Sequence, residues 1–191
     1  MGVPCPPAVD DLLERWQEPQ RAYHTFGHLA HCLSVYDRCP YRDPLVELSL
    51  WFHDAVYDPR SAENELQSAD LACQVMEAAG LPSTQREIVK RCILATRHRD
   101  PPGDDAEKLT LDVDLAILGS GRSRYARYEH GIRTEYAWVP LQDYRRERGR
   151  ILQRFLTQGD LFHLPWFQRR LGAKVPGNLQ WSLRHLETLH G

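Results

Sequence analysis

The sequence predicts an all-α protein, a single compact helical domain. Three observations lead there. Apolar residues recur at helical spacing along most of the chain, as at Leu66, Ala69, Cys73 and Met76. Alternating apolar and polar stretches that would mark strands are hard to find. Helix punctuation is frequent: Asp43-Pro44 is a capping residue followed by proline, and Gly80 with Pro82 is a stop. The 191 residues fit one domain, 1–191, at ~100–200 residues per domain.

The elements follow in order. Pro4, Pro6 and Pro7 predict an extended start. Asp10 or Asp11 caps a first helix that runs to Trp16 and closes before Pro19. A second helix is predicted over 25–36. Asp43-Pro44 opens a third, from Leu45 to Tyr57, apolar on most sides and therefore central and buried. A fourth spans 63–79, ended by Gly80. Thr84 caps a fifth, to about Thr96. Residues 99–107 hold Pro101, Pro102, Gly103 and several acids, a surface loop. A helix or turn begins at 109–118, and helices over 125–138 and 141–156 are separated at Pro140. Gly177-Asn178 introduces a last helix with Leu179, Leu183 and Leu186 on one stripe.

Composition narrows the function classes. The chain carries 24 basic and 26 acidic residues, so no strong field recruits nucleic-acid polymers or an anionic membrane. Five cysteines, none in a Cys-x-x-Cys pair, make neither a disulfide framework nor a thiolate zinc site; free thiols in a reducing compartment are expected. The first ten residues lack the basic start and apolar core of a signal peptide. No run approaches the ~18–20 apolar residues of a membrane span, so a cytoplasmic protein is expected.

Three segments carry chemistry. His53-Asp54 follows Trp51-Phe52 at the end of the apolar helix, where a buried acid is costly unless paired or metal-bound. His24 and His28 lie four apart, placed on one face if helical, with His31 close behind. Asp112 and Asp114 are threaded through the apolar run Leu111 to Leu118, so one acid faces a site or Asp112 caps a helix. Imidazoles and carboxylates on separate helices suit a divalent ion: Mn, Mg, Fe, Co, Ni or Zn.

These segments resemble the HD-domain superfamily of all-α metal-dependent phosphohydrolases, whose signature is His…His-Asp…Asp. The blocks 21–28, 52–58, Asn64-Glu65 with Ser68-Ala69, 112–119 and 125–136 are similar to a bacterial branch described as predicted metal-dependent HD phosphohydrolases. The resemblance covers about 16–161, a motif-bearing core, and leaves 162–191 as a C-terminal helical extension. It implies His28, His53, Asp54 and Asp112 as metal ligands, with Asp114 the competitor for the last place. Residues 23–28 also resemble the Tyr-His-Asn-x-x-His block of cyclic-nucleotide phosphodiesterases, with Thr25 in place of Asn. By that likeness His24 is the leaving-group acid, and Glu65 hydrogen-bonds His24 or a metal-bound water. His98 is placed for a second metal or a substrate phosphate. Arg21 and Arg133 are candidates for phosphate, or for structural salt bridges, Arg133 with Glu129 or Glu135. Tyr125, Tyr128, Tyr136 and Trp138 read as a core stripe.

The implied reaction is hydrolysis of a nucleotide or small phosphomonoester by metal-activated water. The alternatives are a di-iron oxygenase or a hydratase on the same fold, and a non-catalytic nucleotide-binding module. The apolar stretch 161–167 is expected either to dock on the domain or to form an interface.

Overall fold

Capping chemistry and apolar periodicity place most of the helices where the sequence predicts them. A computed structural model describes residues 8–189, and among these there is helix, turn and loop but no strand. The proline-rich start and Cys5 lie outside the described residues. The chain divides into two compact units, up to Asp114 and from Leu115 on.

The first unit holds α1 (Ala8–Arg15), α2 (Phe26–Arg38), α3 (Pro44–Phe52), α4 (Asn64–Ala78), α5 (Ser83–Ala95) and α6 (Asp105–Asp114). Asp43 caps α3, its Oδ1 accepting from the Leu45 N–H at 2.9 Å, with Pro44 in the first turn. Gly80 has φ +78°, the left-handed C-terminal residue that stops α4. Pro82, not Thr84, precedes α5. α6 begins at Asp105, before the predicted 109, so Asp112 lies inside a helix and caps nothing. The core joins Leu12, Trp16, Leu29, Phe52, Ala55, Ala69, Ala72, Met76, Val89 and Ile93.

Two corrections shape the site. Thr25 is the N-cap of α2, its Oγ1 accepting from Gly27 N–H at 3.2 Å. His24 therefore precedes the helix and shares no helical face with His28. α3 stops at Phe52 instead of running to Tyr57, because tertiary partners take the backbone groups a helix would use. Val56 N–H donates to Ser68 Oγ at 3.0 Å, and Arg21 donates to the carbonyls of Asp54 and Ala55 at 2.8 and 3.2 Å. His53 is thus the last cap, and Asp54 sits in the turn beyond it.

The second unit holds a 3-10 turn (Leu115–Gly119), α7 (Arg122–Glu135), α8 (Leu141–Thr157), α9 (Pro165–Leu171), a second 3-10 turn (Gly172–Lys174) and α10 (Val175–Thr188). α10 starts two residues before the predicted Gly177. Asn178 in its first turn donates to the carbonyls of Leu118 and Ser120 at 2.8 and 3.0 Å, pinning the 3-10 turn. The stretch 161–167 docks instead of forming an open interface: Leu161, Phe162 and Phe167 are buried. Of the aromatic stripe, Tyr125 is fully buried while Trp138 is half exposed. Glu129 pairs with Arg148 of α8, at 2.7 Å, and not with Arg133. Arg133 instead donates to the Tyr136 carbonyl at 2.6 Å and lies over the Tyr144 ring.

Gly119 closes against α9. A Cβ there would lie 2.5 Å from Leu171 Cβ and 2.8 Å from its carbonyl oxygen. Gly119→Ala is therefore expected to destabilise the protein by about 1–3 kcal/mol, the usual cost of overpacking. Denaturant unfolding checks it; an unchanged midpoint contradicts the close approach.

Candidate metal centre

The site assembles where α2, the end of α3 and the end of α6 converge. His28 projects from the first turn of α2, where Thr25 sets the helix start. His53 and Asp54 come from the turn that Arg21 and Ser68 hold open. Asp114 ends α6. His28 Nε2 and His53 Nε2 are 3.0 Å apart. Asp54 Oδ2 lies 3.1 Å from His53 Nε2 and 3.5 Å from His28 Nε2. Asp114 Oδ1 lies 3.3 Å from His28 Nε2 and 3.7 Å from His53 Nε2. Nitrogen and oxygen ligands ~2.1 Å from one ion sit about 3.0–3.5 Å from each other, so this spacing fits a shared cation.

His53 makes the strongest case for a cation. Its Nδ1 is 2.8 Å from the Leu50 carbonyl, a contact that requires the proton on Nδ1. In neutral His53 the lone pair of Nε2 then faces a second imidazole nitrogen and two carboxylates. That arrangement is repulsive without a proton or a metal at its centre. Fixing the tautomer through Nδ1–H is how ligating histidines are commonly oriented. His28, Cys32, His53 and Asp114 form a group whose ligand atoms lie within 4.8 Å of one another and could hold a metal ion. Cys32, expected from sequence only as a free thiol, lies one helical turn after His28, and its i+4 spacing puts it on the same face. Its Sγ is nearly equidistant from His28 Nε2 (3.7 Å) and Nδ1 (3.8 Å). It therefore flanks the ring instead of lying along the Nε2 lone pair. Burial, with Asp114 and Asp54 nearby, pushes its thiol well up and keeps it protonated.

Asp114, the competitor, meets the histidines. Asp112 is buried, two residues earlier, outside this group. Two residues turn a helix by about 200°, so the two acids leave α6 on opposite sides. Oδ2 of Asp114 lies 3.0 Å from His98 Nε2. His98 has φ +52°, a left-handed backbone that costs a non-glycine residue ~1–2 kcal/mol. That conformation, just past α5, brings its ring to the outer carboxylate oxygen, leaving the inner one toward His28 and His53.

The other expected residues divide. His24 stands beside the centre, its ring 5.7 Å from that of His28 and stacked on Tyr57 at 4.2 Å. Glu65 instead faces Arg97, with Oε2 3.6 Å from Nε. Arg21 is held away from a phosphate role: its side chain is fully buried, and four of its five N–H groups go to backbone carbonyls and Glu18. His31 is half buried and outside the group. Trp16, read from sequence only as a helix end, lies under the centre with its ring 5.7 Å from His53 and 6.4 Å from His28.

The electrostatics are those of a cation site. Burial alone lowers the His53 pKa, but Asp54 and Asp114 outweigh it and carry it up to about 9. Burial first, and then the charge on His53, lower the His28 pKa, so that His28 stays neutral. Burial works to raise both carboxyls, yet the surrounding histidines hold Asp54 and Asp114 well below the usual range. The His53 proton therefore occupies the place a metal would take. A raised histidine stabilises the metal-free fold fully below the unfolded value near 6.5, and that stabilisation fades as pH rises through about 9. Metal affinity runs the opposite way, growing with pH up to about 9. At pH 7, metal binding is expected to release about one proton, read as a buffer-dependent binding enthalpy in titration calorimetry. Zero release would contradict a protonated His53.

The two histidines are almost wholly buried, while the Asp54 and Asp114 side chains keep 14% and 15% exposure. The carboxylate side is thus the open one. Among the described residues no helix is long and apolar enough to cross a membrane. No family model, curated protein or solved structure matches this chain.

Proposed function

We propose that this protein is a metal-dependent phosphohydrolase acting on a nucleotide or small phosphomonoester. The observation that supports it is the convergence of His28, His53, Asp54 and Asp114, with Nε2 of His53 aimed at two carboxylates. Two imidazoles and two carboxylates fit Mn, Mg, Fe, Co, Ni or Zn, and in six-coordination four such ligands leave two positions for water and substrate. A divalent ion held there supplies a water acidified from ~15.7 toward 7 and offsets phosphate charge.

The chain's own residues do the rest. Leu50 holds the His53 tautomer, and His98 holds the Asp114 carboxylate. His24, beside the ligands, gives a proton to the leaving oxygen. Trp16 excludes water from beneath the two histidines. The resemblance of residues 21–28 and 52–58 to HD phosphohydrolases supports the same reading.

The test is metal content and hydrolysis of a panel of nucleotides and phosphomonoesters, wild type beside Asp54→Ala. Stoichiometric metal and turnover in the wild type only are expected. Tight iron with oxygen uptake and no phosphate release would overturn hydrolysis in favour of oxidation. Nucleotide binding without turnover, under every metal tried, would leave a binding module.

A further inference from the structure

We infer that Arg21, with Tyr57, is a positioning residue that fixes His24 against the metal ligand Asp54. This rests on the reading of His24 as the proton donor. Arg21 Nη1 donates to the His24 carbonyl at 2.9 Å and to the Asp54 carbonyl at 2.8 Å. Nη2 donates to the Ala55 carbonyl at 3.2 Å, and Nε to Glu18 at 3.0 Å. One planar fork thus sets the distance between the loop before α2 and the turn after α3.

The plane of that fork is itself held. Its central carbon lies 5.4 Å from the Trp16 ring and 5.4 Å from the Tyr57 ring. The His24 ring stacks on Tyr57 at 4.2 Å with 29° between planes. Arg21 therefore grips His24 twice: its backbone directly, and its ring through Tyr57. A buried guanidinium is costly, and an apolar side chain would fill the same volume. What an apolar residue lacks is a set of donors at fixed angles. Lysine has one nitrogen with tetrahedral donors, and cannot serve three carbonyls in one plane.

Two readouts test the proposal. In the zinc-loaded protein the Tyr57 ring shields the His24 ring protons, an upfield NMR shift assigned by its loss in His24→Gln. Arg21→Lys should keep zinc and lose most of that shift. It should also slow hydrolysis of an alkyl phosphate ester about tenfold or more, through misplacement of the acid. A 4-nitrophenyl ester, whose leaving group departs without protonation, should slow much less. A folded Arg21→Lys that keeps the His24 shift overturns the proposal, leaving Arg21 a core brace. Arg21→Ala with and without methylguanidinium covers the case in which lysine is not tolerated. Return of the shift with the added cation supports positioning, and no return overturns it. If the wild type hydrolyses no phosphate ester, the functional reading fails, while the His24 shift still reads the positioning.

Discussion

Asp54→Ala is expected to lose the divalent ion and turnover together. Asp54 Oδ2 lies 3.1 Å from His53 Nε2 and 3.5 Å from His28 Nε2. No other carboxylate oxygen approaches His53 as closely among the described residues. Removing a group that merely orients a ligand costs ~10–100-fold in metal affinity, so removing a ligand should cost at least that. Turnover should fall below detection, because the chemistry depends on the ion. Thermal unfolding gives an independent reading. Metal at about 100 times its dissociation constant stabilises a folded protein by about 2.7 kcal/mol. Wild type should gain that increment, and Asp54→Ala should gain about 1.4 kcal/mol or less at the same concentration. Equal metal content in the two proteins would remove Asp54 from the ligand set.

His24→Ala is expected to separate binding from turnover. His24 lies outside α2 and beside the ligands, its ring 5.7 Å from that of His28. Metal content should stay at the wild-type level. Turnover should fall ~10²–10⁴-fold, the usual worth of a positioned proton donor. The loss should be greatest for esters with poor leaving groups. The check is metal analysis beside rates on alkyl and nitrophenyl esters. Loss of the metal would make His24 a ligand, and an equal loss on both esters would remove it as the acid.

Much of this was legible in the chain because it is local. Thr25, Asp43-Pro44 and Gly80 act on backbone groups within a few residues, so helix ends near them were readable. His53-Asp54 was conspicuous because charge at the end of an apolar helix is costly without a partner. His28 was conspicuous by its spacing from neighbouring histidines.

What the sequence determined by itself was an all-α chain, the order of its helices apart from α9, and a short set of residues able to share a cation. The tertiary structure decided which of them meet. Asp112 and Asp114 are both acids in one apolar run, and only the packing of α6 turns Asp114 toward His28 and His53. Arg21 could have faced a phosphate until the carbonyls of His24, Asp54 and Ala55 claimed its donors. α3 could have continued to Tyr57 until Arg21 and Ser68 took the backbone groups of the next turn. The physical reason is one of range: caps and periodicity act over one or two turns. Which face is buried, and which partner takes a donor, depends on groups tens of residues away in sequence.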